Sequence, residues 1–298
     1  MIPTPSRLCV VASSARTDLV TALDRQDDCA AVCFWWLGQA GFAFKHRGRL
    51  LLIDPYLSDS LAEKYRNSEF KHQRMMPVPV APESIHGCDW YLCTHAHTDH
   101  MDPHTIGAIR QAANPVFVVP KAEAARAAER GILADRMRTL KAGEGVELAP
   151  GIVVDALASA HERLETDGEG NSKYLGYVIS LGGVRLYHAG DCVPYAGLER
   201  QLAERCVDIA FLPLNGRDAY RASRGVPGNF TVSEAITLCR AAGIGCLVGH
   251  HFGMFDFNTV DRTVATQSLA QMAGTLHWLL PEIGITYTIA PDEATLAN

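Results

Sequence analysis

The sequence lacks several features that mark specialised classes of protein. It contains no Cys-x-x-Cys pair, so a zinc site made of closely spaced thiolates is not indicated. No apolar run approaches the roughly 18 residues of a membrane-spanning helix. The short apolar stretch from Leu8 to Ala12 is not followed by a convincing cleavage site. We therefore expect a cytoplasmic protein that makes no use of a membrane.

The sequence also has no excess of positive charge and no sign of a division into several domains. The formal net charge of −6 argues against a protein that binds nucleic acid through an overall basic field. The chain shows no tandem repeat and no long Pro/Gly/Ser linker, which favours one domain over residues 31–298 after an N-terminal extension, residues 1–30. The nine cysteines are scattered and odd in number, which indicates reduced thiols in the core.

Short apolar runs predict many strands. Runs such as Gly41 to Lys45 and Arg49 to Ile53 follow each other closely, as in hairpins. Later runs such as Val184 to His188 alternate with helical patterns such as Thr231 to Ala242, and a helix is expected from Pro103 to Ala113. Two sheets packed together and covered by helices, a four-layer αβ/βα sandwich, would accommodate both patterns.

One run of residues carries most of the chemical signal, namely Thr94 to His100, with the sequence THAHTDH. Because side chains alternate along a strand, His95 and His97 project the same way and can share one metal ion. Asp99 and His100 lie where the chain turns away, which suits a second ion about 3.5–4 Å from the first. A polar turn whose histidines are merely solvated is the alternative.

Further histidines and aspartates weigh against a simple polar turn. His161, Asp191 and His251 each follow an apolar strand, where a site at the edge of a sheet could be completed. Asp54 also ends a predicted strand, with a plain turn aspartate as the alternative.

These positions resemble the metallo-β-lactamase-fold hydrolases, whose His-x-His-x-Asp-His motif is followed by a histidine, an aspartate and a histidine in this order. The sequence is most similar to the branch that contains L-ascorbate-6-phosphate lactonase. Three segments carry this likeness: residues 35–41 (WWLGQAG), 186–191 (LYHAGD) and 249–255 (GHHFGMF). The resemblance covers residues 34–289 and implies the metallo-β-lactamase fold.

The resemblance also implies roles for single residues. One metal ion would be held by His95, His97 and His161, the other by Asp99, His100 and His251, with Asp191 bridging both. His250 is the alternative to His251 as the last ligand. Asp54 is expected to hydrogen-bond a ligand histidine, and His188 to pack behind the ligands.

The predicted set of ligands indicates which metal ions would bind and what reaction they would support. Imidazole and carboxylate ligands fit two divalent ions, Zn²⁺ or Mn²⁺, and also admit Fe²⁺. Such a pair activates a water molecule for hydrolysis, and Asp99 would orient that water or carry its proton, unless it only binds metal. Asn215, Arg217 and Arg224 are expected to bind an anionic group of the substrate, with exposed surface arginines as the alternative. For Lys71, His72 and Arg74 a solvated loop is favoured over a second anion patch.

The predicted function is hydrolysis of a lactone in a small anionic metabolite. Phosphodiesterase or other ester hydrolase action is the alternative, because both reactions use the same dinuclear chemistry. A nuclease would need more positive charge and an inserted domain, and a diiron oxidase would need more carboxylates and a flavin domain. A non-enzymatic metal-binding protein would not require so complete a ligand set. The expected partner is a small molecule, with a homo-oligomer implied by the family alone.

Overall fold

The computed structural model describes residues 8–24 and 30–291. Eight α-helices lie in these ranges: α1 (Leu19–Asp24), α2 (Ser60–Lys64), α3 (Pro103–Ala112), α4 (Ala124–Glu129), α5 (Leu198–Glu204), α6 (Ala219–Ala222), α7 (Val232–Ala242) and α8 (Arg262–Met272). The strands of the described chain are β1 (Leu8–Ala12), β2 (Val32–Gly38), β3 (Gly41–His46), β4 (Arg49–Ile53), β5 (Cys88–Leu92), β6 (Val116–Pro120), β7 (Met137–Leu140), β8 (Gly145–Ala149), β9 (Ile152–Ala158), β10 (Ala160–His161), β11 (Arg163–Leu164), β12 (Leu175–Leu181), β13 (Val184–His188), β14 (Ile209–Pro213), β15 (Cys246–His250), β16 (His277–Leu279) and β17 (Tyr287–Pro291).

The strands form two large sheets and one small hairpin. The larger sheet has the order β1-β17-β2-β3-β4-β5-β6-β7, the second has the order β16-β15-β14-β13-β12-β9-β8, and β10 pairs with β11. Pairing is antiparallel from β2 to β4 and parallel from β13 to β16. The predicted change from early hairpins to later strand–helix alternation is therefore confirmed.

Side-chain alternation along β4 shows why the sheets stack in layers. Leu51 and Ile53 enter the core between the two sheets, whereas Leu50 and Leu52 enter a second core that contains Ile106 of α3. Burying one such side chain contributes about 1.5–3 kcal/mol. Both faces of the sheet are therefore covered, and the four-layer αβ/βα sandwich predicted from the sequence is confirmed.

The helices begin where capping residues occur in the sequence. The Asp102 side chain accepts hydrogen bonds from the backbone of His104 and Thr105 at the start of α3, and Thr231 forms a capping box with Glu234 at the start of α7. Helix α4 is directly preceded by a 3₁₀ turn (Lys121–Glu123), and neither has a side-chain cap.

Part of the predicted N-terminal extension joins the larger sheet. Strand β1 pairs antiparallel with β17, with Leu8 opposite Pro291 and Ala12 opposite Tyr287. The described part of residues 1–30 therefore supplies an edge strand as well as α1.

The described residues also bear on the expected core position of the cysteines and on the expected absence of a membrane-spanning helix. Of the seven cysteines whose side chains are described, five are buried. None of the described helices is both long enough and apolar enough to cross a membrane.

Candidate metal centre

The predicted ligands meet at one edge of the sandwich because each follows the end of a strand. Asp54 follows β4, the run from His95 to His100 follows β5, and His161 ends β10. Asp191 lies just beyond β13, and His251 lies directly after β15. The folding of both sheets therefore brings together side chains that are up to 197 residues apart, counted from Asp54 to His251.

The ligand atoms fall into two groups. In the first group, ligand atoms of His95, His97, His161 and Asp191 lie within 4.8 Å of one another. In the second group, the same limit holds for Asp99, His100 and His251. This division is the one that the family resemblance implied.

Asp191 contacts both groups through its two carboxylate oxygens. Its Oδ1 lies 3.4 Å from Nε2 of His100 and 3.2 Å from Nε2 of His251. Its Oδ2 lies 3.6 Å from Nε2 of His161. A carboxylate in this position can bridge two cations.

Hydrogen bonds behind the ligands fix the tautomers of two histidines. The Thr94 hydroxyl donates to Asp54 Oδ2 at 2.6 Å, so it accepts a hydrogen bond from Nδ1 of His95 at 3.0 Å. His100 donates from Nδ1 to the same oxygen of Asp54 at 2.7 Å. In its neutral form each ring therefore carries the lone pair on Nε2, and neither Nε2 has a hydrogen-bond partner although both are buried.

These unpartnered nitrogens are the observation that fits a metal. An unsatisfied buried polar atom costs about 1–3 kcal/mol, and a divalent cation in each group would satisfy the Nε2 atom of that group directly. Asp191 Oδ1 is likewise buried without a hydrogen bond. Imidazole and carboxylate donors without thiolate suit Zn²⁺, Mn²⁺ and Fe²⁺.

The electrostatics of the centre also favour a cation. Burial lowers the pKa of His161 to about 4 and lowers that of His95 well below its usual value, so both rings are neutral, as ligation requires. Burial also acts to lower the pKa of His100, but the carboxylates of Asp191 and Asp99 outweigh it and raise that pKa well above the usual value. The negative potential that holds a proton on His100 can hold a metal ion instead.

Asp54 takes the supporting place that was predicted for it. Its carboxylate is fully buried, binds His100 through one oxygen, and accepts the backbone N–H of Thr94 at 2.8 Å through the other. Its φ of +45° is uncommon for a residue other than glycine. The aspartate therefore links the ends of β4 and β5 behind the ligands.

The neighbouring histidines His250 and His251 have different surroundings. His250 lies in the core, stacked on His188 with 4.8 Å between ring centroids. His188 donates from Nε2 to the Ala40 carbonyl at 2.8 Å and accepts from the Gly190 N–H at 3.1 Å, so it packs behind the loops as expected. Of the two alternatives for the last ligand, the structure brings His251 to the cluster.

Gln39 is a residue of the centre that the sequence did not single out. Its Nε2 lies 3.0 Å from Asp99 Oδ2 and 3.0 Å from His251 Nε2, and its carbonyl accepts the His251 N–H at 3.0 Å. Its Oε1 is buried without a partner. The only signal was its position inside the WWLGQAG segment, since a neutral amide forms no recognisable ligand pattern.

A cavity of about 520 Å³ opens above the centre. Ligand residues from both groups line it, among them His97, Asp99, Asp191 and His251. A cavity of this size suits a small organic molecule.

The predicted anion-binding residues have three different placements. Arg224 lines the cavity, with its Nε 3.2 Å from Glu69. Asn215 is buried behind the cavity and donates to Oδ1 of Asn258, which lines it, at 2.7 Å. Arg217 does not line the cavity.

The expected substrate contact of Arg217 is corrected by the structure. Its two terminal nitrogens donate to the two carboxylate oxygens of Glu234 on α7, at 2.7 and 2.6 Å. Such a fork-to-fork pair occupies the geometry that would bind a substrate anion. Arg217 therefore joins a loop to a helix.

The segment from Lys71 to Arg74 is not a uniformly solvated loop. The Arg74 guanidinium donates to the carbonyls of Tyr56, at 3.0 Å, and Met76, at 3.2 Å, whereas His72 lines the cavity. Lys71 is exposed.

Comparison with known proteins finds a family and relatives named as metal-dependent hydrolases. The family model described as "Beta-lactamase superfamily domain" matches residues 49–252. A UPF0173 metal-dependent hydrolase of Aeropyrum pernix is 29% identical over 160 residues, which cover 52% of this chain and 60% of that relative. Another, from Myxococcus xanthus, is 24% identical over 268 residues, which cover 85% of this chain and 81% of the relative.

A solved structure shows the same fold at low sequence identity. The isothiocyanate hydrolase from Delia radicum gut bacteria superposes with a TM-score of 0.67 at 20% identity, covering 85% of this chain and 97% of that one. At this identity the likeness concerns the fold alone. The match of the family model over most of the chain goes further, and together with the sandwich it shows that this protein belongs to the beta-lactamase superfamily.

Proposed function

We propose that the protein is a metal-dependent hydrolase that opens a lactone, or cleaves a related ester, in a small anionic molecule. The supporting observation is that two groups of ligand atoms share Asp191 on the floor of one cavity. The first group would hold one divalent ion and the second group the other. Zn²⁺ and Mn²⁺ are the proposed ions, and the ligand types also admit Fe²⁺.

The two ions and the protein side chains would have different roles in hydrolysis. Two bound divalent ions would lower the pKa of a water molecule between them and polarise the carbonyl oxygen of the substrate. Asp99 would orient the water and receive its proton; in support, it lines the cavity and its Oδ2 lies 3.0 Å from Gln39 Nε2. Asp54 and Thr94 keep the ligand lone pairs of His95 and His100 directed at the site.

The rim of the cavity supports an anionic substrate. Lys64, Arg126, Arg130 and Arg224 line it, and only Glu69 adds a carboxylate outside the metal centre among the lining residues described. Guanidinium groups bind carboxylates and phosphates in forked geometry. The proposed partner is accordingly a small molecule.

A substrate panel tests the proposal after loading the protein with Zn²⁺ or Mn²⁺. The panel contains anionic γ- and δ-lactones, phosphodiesters, β-lactams and an isothiocyanate, the last because of the activity named for the structural neighbour. We expect lactones to give the highest kcat/KM. Preferred turnover of a phosphodiester would replace the lactone proposal by its alternative, and no turnover of any class with both ions bound would refute the hydrolase.

A substitution and its control distinguish loss of a metal ligand from a general effect of mutation on the protein. His97→Ala removes a ligand of the first group, and we expect loss of one bound ion and loss of turnover with an unchanged fold, since His97 is exposed on a loop. His104→Ala is the matched control, because His104 is an exposed histidine on α3 outside both groups. If His97→Ala keeps wild-type metal content and activity, the ligand assignment is wrong.

A further inference from the structure

We infer that the cavity selects an organic anion that carries a flat ring, with the ring against an aromatic wall and the anionic group at the basic rim. The inference rests on the proposed function for what happens to the bound molecule. It names the class of substrate within that function, which the metal centre alone does not determine.

The aromatic wall is formed by five rings from two separate loops. All of them line the cavity above the metal centre: Tyr65, Phe70, His72, Phe255 and Phe257. The first three lie between α2 and β5, and the last two lie between β15 and α8. Five rings along one cavity give this side of it a flat aromatic surface.

Contacts between the rings hold the wall in place before any ligand arrives. Tyr65 stacks on His72 with 4.3 Å between centroids, and Phe70 stacks on Phe257 with 4.6 Å. His72 meets Phe257 edge-on at 4.7 Å and Phe255 edge-on at 5.1 Å, which joins the two loops. A wall that is already ordered costs little conformational entropy when a ring binds to it.

His72 contributes to the wall as a neutral ring. Its Nδ1 lies 2.7 Å from the Phe70 carbonyl, which can only accept, so Nδ1 carries the proton and Nε2 keeps a lone pair. Burial lowers the pKa of His72, which agrees with a neutral imidazole among aromatic rings. The wall therefore adds no charge that would bind the anion in place of the rim.

The basic rim lies next to the wall and is partly exposed. The Lys64 ammonium lies 5.0 Å from the centre of the Tyr65 ring, and the Arg224 side chain is 38% exposed, paired at 3.2 Å with Glu69. Exposed pairs of this kind contribute little energy, so an anionic ligand can replace Glu69 at Arg224. A ring and an anion on one small molecule would match both surfaces at once.

Three unreactive probes test the inference on the zinc-loaded protein by isothermal titration calorimetry. Benzenesulfonate carries a flat ring and an anion, cyclohexanesulfonate keeps the anion without the flat ring, and methyl phenyl sulfone keeps the ring without the charge. A ring pair adds about 0.5–1.5 kcal/mol beyond area burial, which corresponds to roughly 2- to 12-fold in Kd. We expect benzenesulfonate to bind more tightly than cyclohexanesulfonate by a factor in this range, and more tightly than the neutral sulfone, which lacks the charge.

Two substitutions assign the preference to the two surfaces. Phe257→Leu should remove the preference for benzenesulfonate over cyclohexanesulfonate, and Phe257→Tyr should keep it because the ring is retained. Arg224→Gln should remove the preference for benzenesulfonate over the neutral sulfone. Its matched control is Arg138→Gln, an exposed arginine on β7 that does not line the cavity.

The outcomes separate this inference from the proposed function. Equal affinity for the flat and saturated anions, or a preference that survives Phe257→Leu, would overturn the inference even if lactones are hydrolysed. A ring preference abolished by Phe257→Leu would uphold it, and absent lactone turnover would then count against the proposed function alone. Circular dichroism of each variant verifies the fold.

Discussion

Replacing Asp54 by asparagine changes one buried acceptor while keeping its shape. The carboxylate accepts from the Thr94 backbone at 2.8 Å, from the Thr94 hydroxyl at 2.6 Å, and from His100 Nδ1 at 2.7 Å. Asparagine has nearly the same volume and tolerates the φ of +45° at this position. The substitution therefore tests the hydrogen bonds rather than the packing.

Either orientation of the new amide places its NH₂ group against a donor. If it faces His100, the ring must move its proton to Nε2, which can then no longer bind a metal. If it faces the Thr94 N–H, a buried backbone donor loses its acceptor. Such a conflict costs about 1–3 kcal/mol, and changes behind metal ligands weaken metal binding by about 10–100-fold. We expect Asp54→Asn to weaken binding of at least one ion by about this factor.

Competition titration with a chromophoric chelator measures both zinc affinities, and thermal unfolding of the metal-free protein verifies the fold. Asp261→Asn serves as the control, because Asp261 caps α8 through its side chain and asparagine caps equally well. Asp261→Asn should bind two ions as the wild type does. Wild-type affinity for both ions in Asp54→Asn would refute the reasoning.

Three other substitutions have distinct expected effects. Gln39→Leu should weaken binding of the second ion about tenfold and leave binding of the first unchanged, because the variant loses the contact with Asp99. An equal loss of affinity for both ions would contradict this. Arg217→Gln should lower stability to urea by less than about 1 kcal/mol, since its pair with Glu234 is 40% and 30% exposed, and should leave kcat/KM unchanged. Because burial lowers the pKa of His161 to about 4 from 6.5, the unfolded chain binds more protons between these pH values, so metal-free stability falls as pH drops through this window. His161→Asn should show a shallower fall between pH 7 and 5, and an unchanged slope would be inconsistent with that shift.

The residues of the metal centre were predictable because they have a positional signature. His95 and His97 both follow the end of β5, and strand ends meet at one edge of a sheet. Asp54 could be placed for the same reason. The sequence offered two adjacent histidines after β15, and only the fold separates His251 at the centre from His250 in the core.

The remaining features depend on contacts that no local pattern encodes. Arg217 is bound by Glu234, whose position depends on how α7 packs against the loop. The aromatic wall combines rings from two loops that are far apart in the sequence. Strands β7 and β8 are only partly buried and show no apolar run, so no local pattern marks them as strands.

A crystal structure of the zinc-loaded protein, with anomalous scattering recorded at the zinc edge, tests the central claim most directly. The account predicts two ions about 3.5–4 Å apart. One should bind His95, His97 and His161, the other Asp99, His100 and His251, with Asp191 in contact with both. A single ion under saturating zinc, or two ions of which neither contacts Asp191, would contradict the account.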